Sequence, residues 1–254
     1  MRKQRAESAR ETSAQNRFDR GGCDVDGPAA GRAPQSFPAT PDHSAPIFFF
    51  SHANALATRN GTSGASADEP FLTFFTDLSL NVNQLVYRPP GADPGFVDKG
   101  LSTGVDWEHE ILTAVSTCQV FIALISEPYI HRAWCGKEWD AFARRRTWHM
   151  EQCRVVDSPC IIPVVWAPLG ARNRPRAVMA RQLFTPKDPR DAQVTARYRA
   201  EGIFGLLKTD HDAYSSTVWI LAKEIQRLVF DYWVEPCETP GIDDLRNVFR
   251  EEAP

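Results

Sequence analysis

Six consecutive apolar residues, Val120–Ile125, constrain the fold of this chain more than any other feature. Both alternating faces of such a strand are apolar, so other layers must cover both sides of its sheet. An acidic turn and apolar residues at helical spacing precede it: Trp107, Ile111, Ala114, Val115 and Cys118. Strand and helix therefore alternate, which predicts a parallel α/β sheet.

Four further apolar segments predict the rest of a sheet of about five strands: 47–50, 96–98, 160–166 and 203–207. Pro163 lacks a ladder donor and indicates an edge or a bulge in its strand. A helix is predicted to begin at residue 68 with an aromatic core stripe, and a long amphipathic helix over 214–232 closes the fold.

Composition divides the chain into one domain with tails. Residues 1–45 have hardly any large apolar side chains and are predicted to be a disordered leader. The domain spans 46–232, with a flexible Ala/Ser/Gly/Thr-rich insertion at 53–67 and an Arg/Pro-rich surface loop at 167–200. The polar stretch 233–254 is expected to be a peripheral tail.

Charge and cysteine content limit the partners. The formal net charge of −3 gives no general argument for nucleic-acid or membrane binding, although an RNA or phosphate patch at 167–200 is a less favoured alternative. No apolar run approaches the roughly 20 residues that cross a bilayer. The six cysteines form no C-x-x-C pair, and the spacing of His149, Cys153 and Cys160 matches no standard zinc site. We therefore expect a cytoplasmic protein with reduced thiols and no metal.

The helix after the central strand places Glu138 beside a ligand crevice. In open α/β sheets, ligands bind beyond the carboxyl ends of the strands, and the loop from Ser126 leads from such an end into this helix. Cys135, Trp139 and Phe142 share one helical face, and Glu138 lies on the neighbouring one.

Several motifs in this region, in order and spacing, resemble the TIR domain: F-x-D (Phe96, Asp98), L-x-x-G (Leu101, Gly104), S-x-x-Y (Ser126, Tyr129) and W-C-x-x-E (Trp134, Cys135, Glu138). The resemblance runs from about residue 46 to 232 and implies a flavodoxin-like three-layer sandwich around a parallel sheet. The segment WCGKEW, followed by AFARR, is similar to the corresponding segment of the actinobacterial TIR-like FxsC proteins, which are found beside peptide-maturation genes.

The resemblance implies a chemistry for Glu138. TIR enzymes cleave the nicotinamide–ribose bond of NAD⁺ with the glutamate of this motif, and one carboxylate suffices because the leaving group is neutral. NAD⁺ is then a substrate, and no cofactor is required. The substrate-binding residues implied are Ser51, Asp98, Gly104, Trp107, Ser126, Trp134 and Cys135.

Each of these residues also has an ordinary structural interpretation. Glu138 is alternatively a solvated carboxylate that pairs with Lys137, Arg144 or Arg145. Trp107 is alternatively a packing residue, and Asp98 and Gly104 alternatively serve a turn.

Other enzyme classes fit less well. A receiver domain needs an acidic cluster after the first strand, where Ser51 and His52 stand instead. Adjacent strand residues point to opposite faces, so His52 is poorly placed to activate Ser51 as a hydrolase nucleophile. Neither G-x-G-x-x-G nor a Walker A motif is present.

Two functional hypotheses follow. In the first, the chain is an NAD⁺ glycohydrolase or cyclase in signalling or defence that acts through Glu138. In the second, it is a non-catalytic TIR interaction module, with a protein partner or an FxsC-type peptide-maturation system. The resemblance also implies self-association, and the small polar loop 99–106 is the expected contact.

Overall fold

A parallel four-stranded sheet forms the centre of the molecule. The computed structural model describes residues 45–53, 64–98, 105–170, 174–187 and 192–250. Its strands are β1 (Phe48–Ser51), β2 (Gly95–Val97), β3 (Val120–Ile125) and β6 (Ile161–Val165). They lie in the order β2-β1-β3-β6, and each neighbouring pair is parallel. These four confirm the predicted α/β sheet, and β3 is buried along its whole length.

Seven α-helices occur in the described part of the chain, and those that flank the sheet lie on both of its faces. They are α1 (Gly64–Leu85), α2 (Val105–Thr117), α3 (Glu127–His131), α4 (Ala133–Ala143), α5 (Arg176–Met179), α6 (Gln193–Thr209) and α7 (His211–Asp231). Helix α1 packs against α7, and α2 packs against α4. This arrangement confirms the flavodoxin-like three-layer expectation.

Strand β1 shows how the two faces are covered. The Phe50 ring lies 5.3 Å from that of Phe74 on α1, between ring centroids. The next ring along the strand, Phe49, stacks at 5.6 Å on Phe121, which in turn packs against Phe142 of α4. Because alternate strand residues point to opposite faces, α1 and α4 lie on opposite sides of the sheet.

Pro163 lies in β6, at the edge of the sheet, as its missing donor suggested. Its carbonyl accepts a hydrogen bond of 2.9 Å from the Phe184 N–H, which is outside the sheet. The N and C=O of a strand residue point to the same side, so the absent N–H faces this outer edge and costs no ladder hydrogen bond.

The predicted fifth strand, 203–207, is wrong because this segment lies inside α6. A short apolar run fits a strand or a buried helix equally well, and here Ile203 and Leu206 are buried at helical spacing. Gly202 kinks the helix at φ 66°, and a Cβ there would lie 2.5 Å from the Trp166 carbonyl oxygen. The kink brings the Phe204 N–H to 2.9 Å from the same carbonyl oxygen, so this segment closes the end of β6.

A second sheet was not foreseen. Strands β4 (Thr147–His149), β5 (Arg154–Val156) and β7 (Tyr232–Val234) form an antiparallel sheet in the order β5-β4-β7. The buried Arg145 guanidinium joins it to the main body. It donates to the carbonyl oxygens of Val115 and Cys118 at 2.7 Å each and to that of Val234 at 3.2 Å.

Three predicted loop or tail segments contain regular structure. Part of the insertion at 53–67 belongs to α1, which begins at Gly64. The segment 167–200 contains α5 and the start of α6. The stretch 233–254 is not merely peripheral, because Leu245 and Phe249 are buried in the core. The predicted leader falls almost entirely on residues 1–44, outside the described residues.

Candidate functional site

Three of the proposed substrate-binding residues lie at the carboxyl ends of neighbouring strands. Ser51 is the last residue of β1, Asp98 follows β2 and Ser126 follows β3. Since β2, β1 and β3 are adjacent and parallel, these ends form one edge of the sheet. This is the edge at which open α/β sheets bind ligands.

Glu138 lies in the second turn of α4 and reaches back to this edge. It is 4% exposed, and its Oε2 accepts a short hydrogen bond from Ser51 Oγ. Tyr129, which is fully buried, places its hydroxyl 2.9 Å from the same Ser51 Oγ. A serine has a single proton to donate, so with Glu138 ionised the Tyr129 hydroxyl donates to Ser51 and Ser51 donates to the carboxylate.

Burial dominates the electrostatics of this cluster. It raises the pKa of Glu138 from 4.5 to about 8. The Ser51 hydrogen bond opposes this increase in the pKa of Glu138, and the charge of Asp98 adds to it. Burial, followed by the nearby Cys135 and Glu138, also raises the pKa of Tyr129 well above its ordinary value. The carboxyl group of the free protein therefore holds its proton at neutral pH.

The alternative of a solvated, ion-paired Glu138 is wrong. Lys137 Nζ donates instead to the Ile242 carbonyl oxygen at 2.8 Å. Arg144 pairs with Asp140, and Arg145 donates to the backbone carbonyls that join the two sheets.

Two tryptophans stack beside the cluster. The ring centroids of Trp107 and Trp134 are 5.1 Å apart, with an angle of 25° between the ring planes. Trp107 Nε1 donates to Asp98 Oδ1 at 2.9 Å, which fixes the ring at the end of β2. Both rings are only half-buried, so this edge combines an aromatic surface with a carboxylate. The Trp134 N–H favours the ionised form of Glu138, although Nε1 makes no hydrogen bond of ordinary geometry.

Two of the predicted residues, Ser126 and Cys135, make structural contacts. Ser126 Oγ caps α3 by accepting from the Tyr129 N–H at 3.4 Å. The buried Cys135 Sγ lies 3.5 Å from the His52 carbonyl oxygen. Burial raises the pKa of Cys135 well above its ordinary value, which disfavours the nucleophilic thiolate.

The remaining predicted residue, Gly104, and the loop residues 99–104 lie outside the described residues. Within the part of the chain that is described, no group of three or more His, Cys, Asp or Glu side chains is arranged to hold a metal ion. A shallow concavity on α1, lined by Glu69, Leu72, Thr73, Thr76 and Asp77, contains none of the site residues. None of the described helices has the length and apolar character to span a membrane.

Tyr129 is the last residue of the S-x-x-Y motif, but no role in the site was predicted for it. The signal was its place three residues after Ser126, where a short helix turns its side chain back toward β1. The contacts of the C-terminal residues with α4 were also missed, because their sequence is polar and carries no periodic pattern.

Residues 85–195 match the family model of the TIR domain. The matched region includes Trp107 and Glu138, whereas β1 and Ser51 precede it. No curated protein and no solved structure matches the chain significantly. This match supports a TIR domain in that part of the chain, and the parallel sheet flanked by helices is consistent with the TIR fold.

Proposed function

We propose that this protein cleaves NAD⁺ at the nicotinamide–ribose bond, as a glycohydrolase or cyclase that acts in signalling or defence in the cytoplasm. One observation carries the proposal: the buried carboxyl group of Glu138 lies at the ligand-binding edge of a parallel sheet, hydrogen-bonded to Ser51 and close to Asp98 and the tryptophan pair. A carboxylate held in a site of low polarity stabilises a developing positive charge more strongly than one in water.

The chemistry requires little from the other side chains. Nicotinamide leaves as a neutral molecule from a cationic ring, so its departure needs no general acid. The bond electrons go to the ring nitrogen, and the ribose carbon gains oxocarbenium character. Ionised Glu138 stabilises that carbon until water, or a second nucleophile within the substrate, adds to it and a proton is released.

Substrate charge and the pKa of Glu138 are coupled. NAD⁺ carries a positive charge on the nicotinamide ring, and an opposite charge a few ångström from a carboxyl favours its ionised form. Binding of the cationic ring in place of the Ser51 contact therefore promotes loss of the Glu138 proton. The half-buried Trp107 and Trp134 rings offer a flat surface on which an aromatic ring can stack.

A direct assay tests this proposal. The purified protein is incubated with a high concentration of NAD⁺ and nicotinamide release is measured, for the natural chain, Glu138→Gln and Glu110→Gln. Glu110 is an exposed glutamate on α2 and serves as the matched control. We expect Glu138→Gln to release nicotinamide on the order of 10²–10³-fold more slowly, as is usual when an electrostatic stabiliser is removed. Equal nicotinamide release by the natural chain and Glu138→Gln would rule out the catalytic role.

The same burial favours a second candidate, a non-catalytic TIR interaction module that serves an FxsC-type peptide-maturation system or another protein partner. A protonated glutamate that is hydrogen-bonded to Ser51 and enclosed in the core serves equally as a structural link between α4 and β1. This candidate predicts no nicotinamide release at any protein concentration, while light scattering still detects self-association or a protein partner.

A further inference from the structure

The C-terminal residues 242–250, here called the C-terminal strap, lie across the helix that carries Glu138. Two of its side chains, Leu245 and Phe249, are buried in the core. The Phe249 ring centroid is 5.4 Å from that of Tyr129 and 5.7 Å from that of Trp139 on α4. Phe249 thus contacts the same tyrosine whose hydroxyl bonds to Ser51 on the other side.

Polar contacts hold the strap along α4. The Arg246 N–H donates to Asp140 Oδ2 at 2.8 Å, and Asp140 is buried. Arg144 Nη2 donates to the Asp244 carbonyl oxygen at 2.8 Å, and Lys137 Nζ reaches the Ile242 carbonyl oxygen at the same distance. Three hydrogen bonds, each with a charged side chain of α4 or its end, therefore hold the strap. Such bonds are stronger than those between neutral groups.

Gly136 records how closely the strap approaches. A Cβ at this position would lie 2.0 Å from Asn247 Oδ1 and 3.2 Å from Asn247 Cα. Glycine inside a helix is normally unfavourable relative to alanine. Here it lets the backbone of the strap lie directly on the helix, which accounts for the glycine between Cys135 and Lys137.

The strap lies behind Glu138 and does not cover its carboxylate. It contacts Gly136, Asp140 and Arg144, which form one row along α4 at intervals of four residues. Glu138 is two residues from this row, roughly 200° around the helix, and faces β1. The strap therefore packs on the side of α4 that faces away from the Glu138 carboxyl group.

We propose that the C-terminal strap, through Phe249, is a positioning element for Glu138. Phe249 fixes the Tyr129 ring from one side, Tyr129 orients Ser51, and Ser51 orients the carboxylate, while the strap backbone holds α4 close to the sheet. This inference rests on the proposed role of Glu138 for its catalytic consequence only. The effect on the ionisation of Glu138 is independent of any activity.

The first experiment follows the titration of Glu138 and needs no turnover. The free energy of unfolding is measured from about pH 5 to about pH 9 for the natural chain and for Glu138→Gln, and the difference between them reports the titration of this carboxyl. The same comparison, with and without Glu138→Gln, is then made in chains that carry Phe249→Ala, Gly136→Ala or the control Arg250→Ala. Arg250 is an exposed residue of the same strap. Gly136→Ala displaces the strap from the helix side and supplies the test where Phe249→Ala does not fold.

The midpoint is the pH at which Glu138 of the folded protein is half ionised. We expect it to move toward the ordinary glutamate value by on the order of one pH unit in Phe249→Ala and Gly136→Ala, because a loosened α4 admits water to the carboxyl. Arg250→Ala leaves the midpoint where it is in the natural chain. An unchanged midpoint in both strap variants, with stability lowered equally at every pH, would show that the strap is only structural and would overturn the proposal.

The second experiment measures nicotinamide release. We expect Phe249→Ala to lower kcat by about tenfold or more with little change in KM, since misplacement of a reacting group slows the chemical step. If the natural chain releases no nicotinamide, the proposed activity is refuted, and the midpoint measurement still tests whether the strap positions Glu138. A normal kcat combined with a normal midpoint in Phe249→Ala would overturn the positioning role.

Discussion

Replacing Glu138 with glutamine should make the stability of this protein less dependent on pH. The folded protein holds the Glu138 proton with a pKa of about 8, whereas an unfolded glutamate loses it near 4.5. Between these two values the native state binds more protons than the unfolded state, so stability falls as the pH rises through this window. Below 4.5 the group has no such effect, and above about 8 the full cost is present.

The size of the effect follows from the same two values. The interval from 4.5 to about 8, at 1.36 kcal/mol for each pH unit, corresponds to roughly 5 kcal/mol of stability lost on ionisation. Glutamine is nearly isosteric, carries no proton to lose and retains an oxygen that accepts from Ser51. The stability of Glu138→Gln relative to the natural chain should therefore rise by about 4 kcal/mol between about pH 5 and about pH 9, because part of the titration of the unfolded state lies below pH 5.

Urea denaturation at a series of pH values measures this difference. All other titrating groups are common to both proteins and cancel. The exposed Glu110→Gln serves as the control, and its difference from the natural chain should not depend on pH. If Glu138→Gln differs from the natural chain by the same amount at every pH, Glu138 ionises normally, and the burial argument fails.

Four further predictions concern the pH profile, Ser51, the Gly202 kink and the loop 99–106. If the protein cleaves NAD⁺, its kcat/KM should rise with pH and level off above about 8, because this parameter reports the free enzyme and requires ionised Glu138; a flat profile would contradict this. Ser51→Ala should move the midpoint of this pH profile upward, since the lost hydrogen bond favours the carboxylate, and a downward shift would disprove the stabilising role of Ser51. Gly202→Ala should destabilise the fold by about 1–3 kcal/mol in thermal or urea unfolding, because φ is 66° and a Cβ would meet the Trp166 carbonyl; a variant as stable as the natural chain would contradict the kink. Gly104→Val should abolish the increase in turnover per molecule with protein concentration that self-association through the loop 99–106 predicts, and light scattering on the same samples checks assembly; identical rates at all concentrations in both proteins would refute it.

The local sequence determined the elements with strong patterns. The buried strand Val120–Ile125, the amphipathic α2 and the long α7 were all predictable, because burial on two faces or on one helical stripe leaves a periodic record. The carboxyl edge was predictable as well, since consecutive parallel strands bring Ser51, Asp98 and Ser126 together by topology alone.

The tertiary structure decided what these patterns leave ambiguous. The apolar run 203–207 fits a strand or a helix, and only its packing against the end of β6 selects the helix. Glu138 was expected beside an open crevice or as a solvated carboxylate, yet it is buried next to Ser51 and Tyr129. Its hydrogen bond to Ser51, 87 residues away along the chain, has no local signal. The C-terminal strap is the clearest case, because its polar sequence shows no periodicity and becomes part of the core only where Gly136 admits it. A local pattern records which face of an element is buried, whereas contacts between distant segments depend on how the whole chain closes.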